Sequence, residues 1–413
     1  MQRLPFFVLG LLFCGNAAAL ADSLLVLPFF NESTSQNIDW IGESIAETIR
    51  ESLASQGVLV LSREDRLEAY RRLSIRPNAV LTHASIIKLG EALDASQVIY
   101  GRYELASQQT RDASLVAPPP AGVSAAQTHA PVRDSLRIGA RILDLKRTRQ
   151  GPELEEIGAL DDLASLETQL AWRCLHSLIP KSAPSEQEFR RDRPPVRLDA
   201  IENYIRGLLA SSSEQKHRLF TQAVRLDPGF SEPAFQLAKI AWYKKDYTLA
   251  SSWLERVNRT GSHFFEAKFL LGLCRYYSAD FAGAEKDLQI VAAAVPLNEV
   301  LNDLGAAQLR LHSPSALDNF RRALEGDNTD PDYHFNVGYA QWQRGDFDKA
   351  AETFRALLDR NPDDAEAVLF LGRCLKKDGS RAGDPRNEGR ERLKLNFEET
   401  AYRQLKAELE SKH

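Results

Sequence analysis

The spacing of apolar residues changes rhythm along this chain, and the changes mark its elements. From Ser23 the run "SLLVLPFFNEST" is apolar and then breaks into turn residues, which predicts a buried strand. Next, Ile38, Ile41, Ile45, Ile49 and Leu53 recur at helical spacing, and Gly57 is placed to end that helix. "VLVLS" reads as a second buried strand. Glu64 to Leu73 and Thr82 to Leu93 read as two further helices. "ASQVIYGRYELA" and "VRDSLRIGARILDLKR" read as longer strands, the latter alternating, and a helix from Asp161 to Leu178 closes the unit. The expectation is a small α/β domain over residues 22–180.

Two stretches interrupt the periodic pattern. "ASQQTRDASLVAPPPAGVSAAQTHAP" is rich in Ala, Pro, Ser and Gln and predicts a disordered insertion at 105–132. "IPKSAPSEQEFRRDRPP" predicts a linker at 181–197.

Beyond the linker the pattern repeats. An apolar residue followed by a small one recurs at Leu237-Ala238, Leu271-Gly272, Leu304-Gly305, Val337-Gly338 and Leu371-Gly372, with steps of 34, 33, 33 and 34. The segment "PDYHFNVGYAQWQRGDFDKAAETFRALLDRNPDD" shows the unit most fully. Gly338 permits close helix approach, Gly345-Asp346-Phe347 turns, Ala350 and Phe354 pack the second helix, and Pro362 ends it. Gly272, Ala284, Leu288 and Pro296 repeat the scheme, as do Ala238, Ala250 and Leu254. This period and pattern resemble the tetratricopeptide repeat (TPR), a helix-turn-helix of about 34 residues whose copies stack into a solenoid. About five to six repeats are expected over 198–380, with a capping helix over 381–413. That helix would start near Asn387 and carry Leu393, Phe397, Tyr402 and Leu405 as its apolar stripe.

The resemblance implies that the first helix of each repeat lines a concave groove. The candidate partner-binding positions are then Phe235, Lys239 and Trp242; Phe269, Leu273 and Tyr276; Asn302, with Leu309; Phe335, Tyr339 and Trp342; and Arg373 and Lys376. Aromatic residues recur there, which suggests a ring-lined groove for an extended peptide or a partner helix. The Asn/Lys cluster with which some TPR proteins hold a C-terminal carboxylate is not expected.

"LLVLPFFNES", "IDWIGESIAETIRESL", "LGEALDASQVIYGRYE" and "IGARILDLKR" make the first domain similar to the N-terminal domain of TolB-like and FlgO-like bacterial envelope proteins. The whole is then α+β: a small α/β domain followed by an all-α solenoid.

The remaining features narrow the function. "MQRLPFFVLGLLFCGNAAALADS" has a basic start, an apolar stretch of about ten residues and a small-x-small site at Ala19-Leu20-Ala21. It predicts a signal peptide over 1–21 and a periplasmic or otherwise exported protein with no membrane span after cleavage. A net charge of -5 and scattered basic residues give no footprint for nucleic acid. Cys174, Cys274 and Cys374 lie in helical apolar patterns and are expected as packed thiols. No phosphate loop, HExxH or GxSxG occurs, so no cofactor, metal or catalytic role is expected. The expected function is a non-catalytic periplasmic adaptor whose groove binds a protein segment. The alternative is a structural component of an outer-membrane or secretion/transport assembly. The adaptor reading would fail if the groove were filled by its own chain in every condition.

Overall fold

A computed structural model describes residues 23–76, 79–106, 135–380 and 388–411. The expected signal peptide and nearly all of the expected insertion lie outside the described residues. Leu105 and Ala106, which the expected strand and the expected insertion both include, end a strand.

The first domain is a sheet covered on both faces. Strands β1 (Leu24–Val26) and β2 (Phe30–Asn31) pair parallel with β3 (Gln97–Ala106). β3 pairs antiparallel with β4 (Ser135–Asp144) along its whole length. β4 then pairs with β5 (Arg149–Gln150) and β6 (Leu154–Ala159). Alternation along the strands sorts the core. Leu24, Val26, Ile99 and Ile138 face helices α1 (Trp40–Ser55) and α4 (Leu163–Leu178). Leu25, Leu27, Val98 and Leu143 face α2 (Arg63–Arg72) and α3 (His83–Ala92). Ser62 and Thr82 cap α2 and α3 with side-chain oxygens. The expected "VLVLS" strand shrinks to one bridge between Val60 and Leu24, and β6 was missed.

The expected linker is packed. Ser185 and Glu188 form a capping box on α5 (Glu186–Arg191), which buries Phe189, and Arg193 lies 3.9 Å from that ring's centroid. A single apolar core runs from the sheet through α1 and α4 into Ile201, Tyr204, Phe220 and Leu237 of the helical array. Arg206 Nη2 also donates to the carbonyl of Asn37 across that seam (2.9 Å).

The array consists of antiparallel pairs: α6 (Leu198–Leu209) with α7 (Ser213–Leu226), α8 (Glu232–Tyr243) with α9 (Tyr247–Leu254), α10 (Phe264–Tyr277) with α11 (Phe281–Ala294), α12 (Asn298–Arg310) with α13 (Ala316–Gly326), and α14 (Pro331–Gln343) with α15 (Phe347–Leu358). Each first helix after α6 ends in a left-handed residue: Lys245, Ala279, His312, Gly345 and, after α16 (Ala365–Leu375), Lys377. The next N–H folds back five residues, as from Asp346 to the carbonyl of Gln341 (3.0 Å) and from Asp378 to that of Arg373 (2.9 Å). Only one of the five is glycine, because the turn is held by its hydrogen bonds and its neighbours' packing. The small residues do what the pattern required. A Cβ at Gly272 would stand 2.6 Å from Leu288, and one at Gly338 would stand 3.0 Å from the Phe354 ring.

The array stops half a repeat in. α16 has the glycine and the turn, but nothing stands within 4 Å of a Cβ at Gly372. Val368, Leu369 and Leu375 on the same face are 52%, 51% and 61% exposed. The expected capping helix is a different element. Residues 390–398 run extended, and only α17 (Glu399–Ser411) is helical. The amides of Arg392, Lys394 and Glu398 donate to side chains of the array rather than to carbonyls of their own segment.

Candidate protein-binding groove

The extended segment lies in the groove. Its direction opposes that of the repeats: Arg390 and Arg392 meet α16 and its preceding turn, Lys394 meets α12 and α14, and Phe397 meets α10. We call it the strap.

The strap's main chain is gripped first. Asn336 Nδ2 donates to the carbonyl of Arg392 and Asn336 Oδ1 accepts its N–H, both at 2.8 Å. Asn302 Nδ2 donates to the same carbonyl at 2.8 Å, and Asn336 Nδ2 reaches Asn302 Oδ1 at 2.7 Å. Asp303 Oδ1 accepts the N–H of Lys394 (2.9 Å) and Glu299 Oε1 that of Glu398 (3.1 Å). Burial pushes the carboxyls of Asp303 and Glu299 upward.

Side chains are gripped second. The Arg392 guanidinium makes a bidentate pair with Asp364 (2.7 and 2.8 Å), reaches Glu366 at 3.3 Å and Asp332 at 3.4 Å, and lies 3.8 Å from the Phe335 centroid. Those hydrogen bonds from Arg392 hold the Asp364 carboxyl below its ordinary range. Lys394 Nζ sits 2.7 Å from both Asp330 and Asp332 and over the Tyr333 ring. Leu393 packs where two apolar clusters meet. The Phe397 ring lies 5.6 Å from Phe269 and 5.4 Å from Tyr402, while Tyr276 Oη donates to Glu391 (2.9 Å).

This geometry sorts the residues expected from sequence. Asn302, Phe269, Tyr276 and Phe335 contact the strap. Of the expected ring-lined groove, Phe235, Phe269, Leu273, Phe335, Tyr339 and Trp342 are fully buried rather than open to solvent. They lie beneath neighbouring helices or the strap, because rings on tightly stacked first helices fill the space between repeats. Phe235 stacks on His263 (4.4 Å), and Trp342 Nε1 donates to the carbonyl of Asp378 (2.8 Å). Lys239 lies 3.9 Å from Glu266, Trp242 leans on Tyr247 and Tyr277, Leu309 joins the core, Arg373 covers Phe370, and Lys376 is exposed.

Sequence reasoning missed the groove's acidic wall. Its signal was present. Glu232, Glu266, Glu299, Asp332 and Glu366 each stand six residues before the small residue of their repeat. Asn336 stands two residues before its glycine where Asn302 stands three before, so the two asparagines share no register in the repeat.

A second cleft, of about 1180 Å³, opens between the sheet and α6–α7. Its arginines are already paired: Arg63 and Arg66 with Glu43, Arg102 and Arg141 with Glu153, and Arg206 with Glu202. It therefore offers little uncompensated charge to an anion. Among the described residues no cluster of His, Cys, Asp and Glu is placed to hold a metal ion. Likewise, no described helix is long and apolar enough to cross a membrane.

Residues 312–365 and 335–382 match the tetratricopeptide repeat family model. No curated protein sequence matches the chain. Solved structures similar to it include YrrB, described as a TPR protein with an unusual peptide-binding site, at 18% identity over 47% of this chain and 93% of its own, with a TM-score of 0.34. They also include MamA from Desulfovibrio magneticus RS-1, at 21% identity over 40% of this chain and 95% of its own, with a TM-score of 0.36. With the family match at 312–382 and the same period, turns and glycine contacts in the preceding helix pairs, the second half of the chain carries tetratricopeptide repeats.

Proposed function

We propose that the protein is a non-catalytic, exported adaptor whose TPR groove binds an extended segment of a partner protein, and that the partner takes the place of the strap. One observation carries this reading: Asn302 and Asn336 grip one residue, Arg392, through its main-chain N–H and carbonyl, a mode that any extended chain can satisfy. The residue pattern at 1–21 and the resemblance of the first domain to TolB-like and FlgO-like domains support the periplasm and envelope as the setting. Binding there is co-localisation, with no covalent chemistry. The test is a crosslinking pull-down from intact envelopes with wild type beside Asn302→Ala/Asn336→Ala. A prey captured by the wild type and lost in the variant supports the groove. A prey retained by the variant places binding elsewhere and contradicts the reading.

A second reading, a structural component of an outer-membrane or secretion/transport assembly, is favoured by the continuous core between the sheet domain and the first repeats, which suits a rigid brace. Stable ring or multimer formation by the purified protein would select it.

A further inference from the structure

We propose, resting on the groove reading above, that the partner segment has the form arginine–apolar–lysine–two free positions–aromatic, bound antiparallel to the repeats. The chain's own Arg392-Leu393-Lys394-Leu395-Asn396-Phe397 is its resident copy.

The main-chain grips are blind to sequence, but they fix register. Once Asn336 holds both polar groups of one residue, every following side chain has an assigned place. The first place is made for a guanidinium. It needs a planar fork to pair both oxygens of Asp364, and a face to lie on Phe335. The third place is made for an ammonium, a compact donor between Asp330 and Asp332. The sixth is made for a ring against Phe269. The fourth and fifth, Leu395 and Asn396, face solvent and carry no selection.

Charge drives the choice further. Asp330, Asp332, Asp364 and Glu366 form one wall, and the described cations that meet it belong to the strap: Arg390, Arg392 and Lys394. Without an occupant four carboxylates stand together, so the vacated groove attracts a basic segment and repels an acidic one. The strap occupies the same sites, so a partner competes with a local ligand tethered to the array, and its apparent affinity is its intrinsic affinity multiplied by the fraction of time the groove is open.

The experiment is fluorescence anisotropy with a labelled peptide covering residues 388–402. It is titrated with full-length wild type and with full-length Arg392→Ala/Lys394→Ala/Phe397→Ala, which weakens the strap in cis. A second protein carrying only Lys394→Ala is titrated beside it, so that loss of fold in the triple variant, seen by circular dichroism, does not decide the outcome. The expected result is binding at least about tenfold tighter to a strap-weakened protein than to wild type. A peptide with both basic positions changed to Glu is expected to lose at least about tenfold more, equivalent to about 1.4 kcal/mol. Equal binding of a scrambled peptide of the same composition overturns the proposed pattern while leaving the adaptor reading standing. No binding of any peptide to the folded strap-weakened proteins overturns both.

Discussion

Asn336 and Arg392 exchange two hydrogen bonds, Nδ2 to the carbonyl and N–H to Oδ1, each at 2.8 Å. The pair joins α14 to an extended segment 56 residues later in the chain. Asn336→Ala removes both bonds and strands the Arg392 N–H in the groove, while the carbonyl keeps its bond from Asn302 (2.8 Å), at a cost of about 1–3 kcal/mol. The variant also loses the 2.7 Å bond from Asn336 to Asn302 between α14 and α12, but removes no apolar side chain from the array's core. The expected outcome is an unfolding temperature for the array close to wild type, with faster proteolytic cleavage within 390–398. A large fall in the unfolding temperature would make the strap a structural part of the core instead.

The glycines separate into two kinds. Gly272→Ala drives a methyl to within 2.6 Å of Leu288, in a core with no slack, and is expected to cost about 1–3 kcal/mol. Gly372→Ala meets nothing and gains helix propensity, for a stabilisation of up to about 1 kcal/mol. Chemical denaturation of the two variants checks the opposite signs.

Glu167 makes the seam between α4 and α1 sensitive to pH. It is fully buried and accepts a hydrogen bond from Thr48 Oγ1 (2.9 Å), and burial pushes its carboxyl up from 4.5 to about 7. Between those values the folded chain binds more protons than the unfolded one, so this group's contribution falls as pH rises from about 4.5 to about 7 and is flat above. Glu167→Gln removes that loss. Thermal unfolding at pH 5 and pH 8 is expected to show the variant gaining on wild type at the higher pH. An unchanged difference between the two pH values would show that Glu167 does not titrate in this range.

Cys174, Cys274 and Cys374 are buried free thiols, and desolvation pushes the first two up to about 12 and the third to about 11. Native protein is therefore expected to resist iodoacetamide at pH 8, and denatured protein to react at all three. Mass spectrometry after brief labelling reads the result.

The array was legible because its signal is redundant. The small residue, the turn and the second helix's apolar positions all repeat at one period, so no single departure, such as His312 in place of a turn glycine, hides it. The strands β3 and β4 were legible through their alternation, whereas β6 was obscured by Glu155 and Glu156 on a half-covered edge. The strap was not legible. Leu393 and Phe397 stand four apart, which fits a helix face and an extended chain alike. What excludes the helix is tertiary: the amides of Arg392, Lys394 and Glu398 find carboxylates and an asparagine on α12 and α14. Composition predicted a linker at 181–197 and gave no sign that Phe189 is buried there. The groove's polar residues were illegible for a related reason. The rings that mark first helices pack between repeats, with only some of them, such as Phe269 and Phe335, touching the strap, and the strap's polar partners are the acids and asparagines beside them.

On the proposed function, the groove grips an extended segment by its main chain and releases it to a competing one. Amide hydrogen exchange of the full-length protein, read across residues 390–398 with and without excess 388–402 peptide, tests it most directly. The amides of Arg392, Lys394 and Glu398 are expected to be protected in the protein alone and to lose that protection when the peptide is added. Exchange of those amides at the rate of an unfolded chain in the protein alone, or protection that excess peptide leaves unchanged, would contradict it.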